Sequence, residues 1–152
     1  AGTNGGGGGV ADVPWDGHND IGANHRIAAK SVDQPIGALL VDLKARGMLD
    51  NTLVVVTGEF GRTPKVLTQQ PPGRQHWPRC FSSILAGGGI AGGQVYGKSD
   101  KHANQPTVNP VRVEELAATI YHAMDIPING PETNSGISRP LTTGKPILDL
   151  FG

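Results

Sequence analysis

The run Leu53-Val54-Val55-Val56, followed at once by Thr57-Gly58-Glu59-Phe60-Gly61-Arg62-Thr63-Pro64, constrains this chain more than any other stretch. Its apolar residues are mostly β-branched and too few for a helix. They read as a strand buried on both faces, of the kind found in a parallel sheet with helices on either side. A carboxylate then stands between two glycines, and an arginine follows. Ligands of open α/β sheets sit beyond the carboxyl ends of the strands, which makes Glu59 a candidate site residue. The competing reading is a solvated loop acid, and a strand followed by Gly-Glu does not by itself separate the two.

The flanking segments supply the other elements of an α/β unit. From about Asn24 to Arg46, Val32, Ile36, Leu39, Leu40 and Leu43 recur at helical spacing and form one apolar stripe. Pro35 predicts a helix start or kink, with Asp33 placed to cap the amides freed there, and Gly47 ends the helix. Cys80 to Ala86 reads as a second strand, Gly87 to Gly93 as a glycine turn and Gln94 to Gly97 as a short edge strand. Asn109-Pro110 predicts the opening of a second helix reaching about Met124. Its apolar face is Leu116, Ala117, Ile120, Tyr121 and Met124, with Glu114 and Glu115 near the positive end of its dipole. The remainder is broken by proline and glycine, and Pro146 to Phe151 is expected to dock as a short strand or helix. Residues 1–12 read as a flexible segment, because the Gly5–Gly9 run lacks the Lys-Ser/Thr ending of a phosphate-binding loop. The domain proper is placed at residues 13–152.

At 152 residues the chain can form one domain with a core. Its 13 basic and 13 acidic residues balance, so charge does not point to a nucleic-acid partner. No apolar segment is long enough to span a membrane. Cys80 is alone, which excludes an internal disulfide, and it reads as a small buried residue rather than a nucleophile.

Ligand-type side chains occur in separated segments. In extended backbone, Asp16 and His18 point to one side and can aim at one cation; a polar turn is the alternative. His76 leads into the second apolar run, either as a ligand stiffened by Trp77 and Pro78 or as a hydrogen-bonded core residue. Lys101 and His102 fall in a polar loop, as anion contacts or as exposed loop residues. His25 and Arg26 read as surface or site-rim positions. Arg62 offers a planar fork for anionic oxygens, with a surface salt bridge as the other possibility.

Taken together, Trp15-Asp16-Gly17-His18, Val32-Asp33-Gln34-Pro35, Leu53 to Pro64, Gly73-Arg74-Gln75-His76-Trp77-Pro78-Arg79 and Leu85-Ala86-Gly87-Gly88-Gly89-Ile90 resemble one family. It is the sulfatase-like domain of unknown function 1501 family, and the resemblance continues through Gly92 to Gly97, Leu116 to His122 and Gly144-Lys145-Pro146. The family looks like a branch of the alkaline phosphatase superfamily. The resemblance implies a three-layer α/β/α sandwich of which this chain is the C-terminal portion only. It also implies metal ligation by Asp16, His18 and His76 at one site, with Glu59 at a second. Phe60 stands where the superfamily has a histidine, and Gln75 where the family usually has an aspartate. The nucleophile and a further metal-binding aspartate belong to a half that these residues do not resemble.

The implied function is metal-dependent hydrolysis, or transfer, of phosphate or sulfate esters. The chain would contribute part of an active site that uses zinc, manganese or iron and takes a small-molecule or polysaccharide substrate. Arg62, Lys101 and His102 would contact the substrate. The alternatives are a non-catalytic scaffold, metal-stabilised or metal-free, that binds a partner or polysaccharide, and a chain that works only with a companion half. The last predicts an exposed apolar sheet edge. Resemblance to exported proteins implies a periplasmic or extracellular location. The geometric expectation common to the metal readings is that Asp16, His18 and His76 converge to ligand separations of about 3–4 Å.

Overall fold

The computed structural model describes residues 15–68, 72–129 and 140–152; the Gly5–Gly9 segment and the proposed boundary at residue 12 lie outside them. Helix α1 spans Ile21–Ala45 and begins earlier than the apolar stripe alone predicts. Pro35 lies inside it and does not end it. Asp33 is therefore a helical residue rather than a cap. The helix stops where Gly47 takes φ 66°, a conformation that costs glycine nothing, and the Met48 amide closes back onto the Leu43 carbonyl. A 3-10 turn at Leu49–Asn51 then leads into strand β1, Val54–Val56.

β1 departs from the expectation of a doubly buried parallel strand. Its hydrogen-bonded neighbour is strand β4, Ile84–Ala86, which runs antiparallel with Val55 opposite Leu85. Both faces of β1 are only half-buried. A β-branched run encodes extended backbone, but which strand lies beside it is a long-range matter. Two further antiparallel pairs complete the strand content of the described residues. Strand β2, Gly61–Arg62, pairs with β3, His76–Trp77, and β5, Lys98–Ser99, pairs with β6, Pro106–Val108. The edge strand expected at Gln94 to Gly97 thus forms slightly later in the chain.

Helix α2 spans Val113–Ala123 rather than opening at Asn109, and Glu115 Oε2 accepts the Arg112 amide at its start. α2 carries the most deeply buried residues, Ala118 and Thr119, both at 0% exposure. Thr119 Oγ1 donates to the Glu115 carbonyl at 2.7 Å and accepts the Ile147 amide at 3.0 Å. That bond docks the last segment, which forms a 3-10 turn at Leu148–Leu150 and pairs Phe151 with Ile90. On α1, by contrast, Ala28 and Leu43 are buried while Leu39 is 47% exposed. The predicted stripe is real as a pattern but only partly covered: Leu43 is buried, Val32, Ile36 and Leu40 are half-buried, and Leu39 is exposed. Among the described residues, no helix is long and apolar enough to cross a membrane.

Candidate functional site

The β2–β3 pair sets the site. Its register places Arg62 directly opposite His76. Opposed residues of an antiparallel pair project from the same face, so guanidinium and imidazole start side by side. Both reach Asp16, which lies on the loop before α1. His76 Nε2 is 2.6 Å from Asp16 Oδ1, a hydrogen bond, and Arg62 Nη2 donates to the same oxygen at 3.3 Å. His18 Nε2 approaches that oxygen too, at 3.1 Å. Asp16, His18 and His76 therefore each offer one ligand atom, all within 4.8 Å of one another.

Two backbone features bring the loop to the sheet. Arg62 Nη2 also donates to the Trp15 carbonyl at 3.1 Å. Gly73 is buried against the chain at His18, where an added Cβ would overlap the His18 carbonyl oxygen. Glycine here permits the close approach that places His18 beside His76.

The aromatic surroundings orient the imidazoles. Phe60 packs on His76 with ring centroids 4.0 Å apart, and the His18 and His76 rings are 4.7 Å apart. Phe60 is thus a packing partner of a candidate ligand. Asp16 is 65% exposed, yet its carboxyl is held below the usual range. The main cause is the hydrogen bond from His76, followed by partial desolvation acting the other way and by the nearby charges of His76, His18 and Arg62. His18 Nδ1 is buried and, among the described residues, has no hydrogen-bond partner.

The other predicted site residues fall elsewhere. Glu59 is exposed and is not a member of the three-residue group. Lys101 and His102 are exposed on a loop built around Asp100, whose Oδ1 accepts the amides of His102 and Asn104. The loop touches the site region indirectly, since Trp77 Nε1 donates to the Asn104 carbonyl at 2.7 Å. Among the described residues, no hydrogen bond or ion pair joins Lys101 or His102 to Asp16, His18 or His76.

The sequence reads His25 as a surface or site-rim residue and gives Arg74 no role. Both line an open cleft with Arg62. A signal for Arg74 was present in its spacing, two residues before His76 in an extended segment, but that spacing carries weight only once the strand pairing is known.

A family profile described as a protein of unknown function, DUF1501, matches residues 3–151. No curated protein and no solved structure gives a significant match. The matched span takes in Asp16, His18, Arg62, Arg74 and His76 together with both helices and all the strands, and the chain belongs to the DUF1501 family.

Proposed function

We propose that this chain contributes the metal-holding part of an active site that hydrolyses, or transfers, phosphate or sulfate esters. This reading aligns the family with the sulfatase-like branch of the alkaline phosphatase superfamily. One observation carries it: side chains from segments some sixty residues apart, Asp16 and His76, meet with His18 about a single carboxylate oxygen.

The residues fit a divalent cation. Two imidazole nitrogens and a carboxylate suit zinc, manganese or iron. The 3.1 Å separation of His18 Nε2 from Asp16 Oδ1 lies within the range of about 3–4 Å expected between ligands of one ion, while the three ligand atoms together lie within 4.8 Å, a looser grouping than that range. The 2.6 Å contact of His76 is a hydrogen bond whose proton a cation would replace. Such an ion supplies Lewis-acid polarisation of an ester oxygen and activation of an oxygen nucleophile. The chain's own residues do the rest. Phe60 holds the His76 ring, Asp16 and His18 complete the donor set, and Arg62 holds Asp16 in place. The nucleophile is assigned to no residue of this chain.

Metal content of the purified protein and of His76→Ala tests the reading, alongside hydrolysis of aryl phosphates and aryl sulfates. Losing a ligand should lower metal affinity by at least about tenfold. Unchanged content in His76→Ala rejects the site. The position of Glu59, exposed and outside the group, favours a second reading, a metal-holding scaffold without catalysis. Retained metal with no ester hydrolysis in the full-length protein selects that reading.

A further inference from the structure

We propose that Trp77, anchored by the turn built on Asp100, is a positioning residue for His76. The inference rests on the metal reading for its purpose, but the placement of the His76 ring is measurable with no metal present.

The β2–β3 ribbon has two faces. Opposed residues of an antiparallel pair share a face, and successive residues of a strand alternate. Arg62 and His76 therefore project towards Asp16, and Gly61 and Trp77 towards the other side. The strands are two residues each, and the Thr63 amide extends the pairing by one bond to the Gln75 carbonyl at 2.9 Å. A two-stranded ribbon so short is at best marginal by itself. A metal ligand must nonetheless stand within about 0.5 Å of its working position. What lies behind the ribbon therefore decides where His76 stands.

Two pieces of chain close that back face. At Gly61 the backbone of Cys80 comes so near that an added Cβ would overlap the Cys80 carbonyl oxygen. At Trp77 the indole is held twice. Its Nε1 donates to the Asn104 carbonyl at 2.7 Å, and the Arg79 guanidinium lies over the ring, 5.4 Å from its centroid.

Asn104 belongs to the turn between β5 and β6, and Asp100 fixes that turn from within. Asp100 Oδ1 accepts the His102 amide at 3.0 Å and the Asn104 amide at 2.9 Å. The Asp100 amide donates to the Gln105 carbonyl, and the Ala103 amide returns to the Asp100 carbonyl. The Asn104 amide is also the chief cause holding the Asp100 carboxyl below its usual range, so the acceptor stays ionised near neutrality. The residue whose amide Asp100 holds is thus the one whose carbonyl holds Trp77. Specific bonds lead from Asp100 through Asn104 and Trp77 to the strand that carries His76.

The test uses the full chain. Trp77→Phe keeps a ring beside Arg79 and removes the indole N–H. Asp100→Ala removes the oxygen that holds the Asn104 amide, and Asp100→Asn restores an acceptor there. Zinc affinity is measured by competition with a chromophoric chelator. The His76 ring protons, packed on Phe60, are followed by NMR in metal-free protein. Trp77→Phe and Asp100→Ala should each weaken zinc binding by about three- to tenfold and displace the His76 signals. Asp100→Ala changes no aromatic ring, so a displacement there reports movement of His76 itself. Asp100→Asn should lie nearer the parent in both measurements. Thr119→Val, which removes a bond between α2 and the last segment, controls for lost stability and should bind zinc as the parent does. Unchanged zinc affinity in Trp77→Phe, an equal loss in Thr119→Val, or Asp100→Asn no closer to the parent than Asp100→Ala would overturn the proposal. A parent that takes up no zinc discards the metal reading and leaves the His76 signals to decide. Displaced in Trp77→Phe and Asp100→Ala, they keep Trp77 as the positioning residue; unmoved, they overturn it.

Discussion

His25 and Gly73 show how single residues tune this region. The His25 ring is half-buried beside a guanidinium, and both burial and the Arg62 charge disfavour its protonated form. The unfolded chain therefore binds more protons at this residue than the folded one, and stability rises with pH across the interval. Acidification through the ordinary value of 6.5 should lower stability, with the loss levelling off below the folded-state value. A proton NMR titration should find His25 below 6.5 in the parent and moved part-way back towards 6.5 in Arg62→Ala. A midpoint at 6.5 in both proteins would refute the account. At Gly73 the prediction is steric. Alanine there must displace the chain at His18, at a cost of roughly 1–3 kcal/mol for overpacking, read by urea denaturation. The same change should loosen the approach of His18 to Asp16 and reduce metal uptake in parallel.

At the scale of elements, α2 and the chain end behave as one unit. Thr119 is fully buried, and its hydroxyl joins the Glu115 carbonyl to the Ile147 amide. Thr142 Oγ1 repeats the device, donating to the Glu114 carbonyl at 2.8 Å. Replacing Thr119 by valine keeps the shape and strands the Ile147 amide. The expected loss is about 1–3 kcal/mol in thermal or chemical unfolding, together with faster hydrogen exchange over 147–151. A neutral outcome would mean that the last segment is held by its apolar contacts alone. The β2–β3 pair is the corresponding unit at the site, since its register and nothing local places Arg62 beside His76.

At the scale of the whole molecule, few apolar side chains of the described residues are buried, namely Ala28, Leu43 and Ala118. Ile84, Leu39 and Val41 are among the large apolar side chains left exposed. With so few apolar side chains of the described residues removed from water, the urea m-value should fall below that of a typical 152-residue domain. The exposed apolar side chains of α1, Leu39 and Val41 among them, should also bind a hydrophobic dye at neutral pH. A normal m-value with no dye binding would show that the chain covers this surface in solution.

Periodicity and composition by themselves determined both helices, the extended runs at Val54–Val56 and Ile84–Ala86, the glycine stop at Gly47 and the set of polar residues worth watching. These are local properties, governed by backbone sterics and by the spacing of apolar side chains, and a linear sequence records them directly. Partnership between distant segments was decided only in three dimensions. That β1 pairs antiparallel with β4, that Phe60 stacks on His76, that Glu59 stays outside the group and that Arg74 shares a cleft with Arg62 all depend on contacts across long stretches of chain. No spacing rule reports them, because the free energy that selects one strand neighbour over another comes from packing and loop closure rather than from the residues on either side.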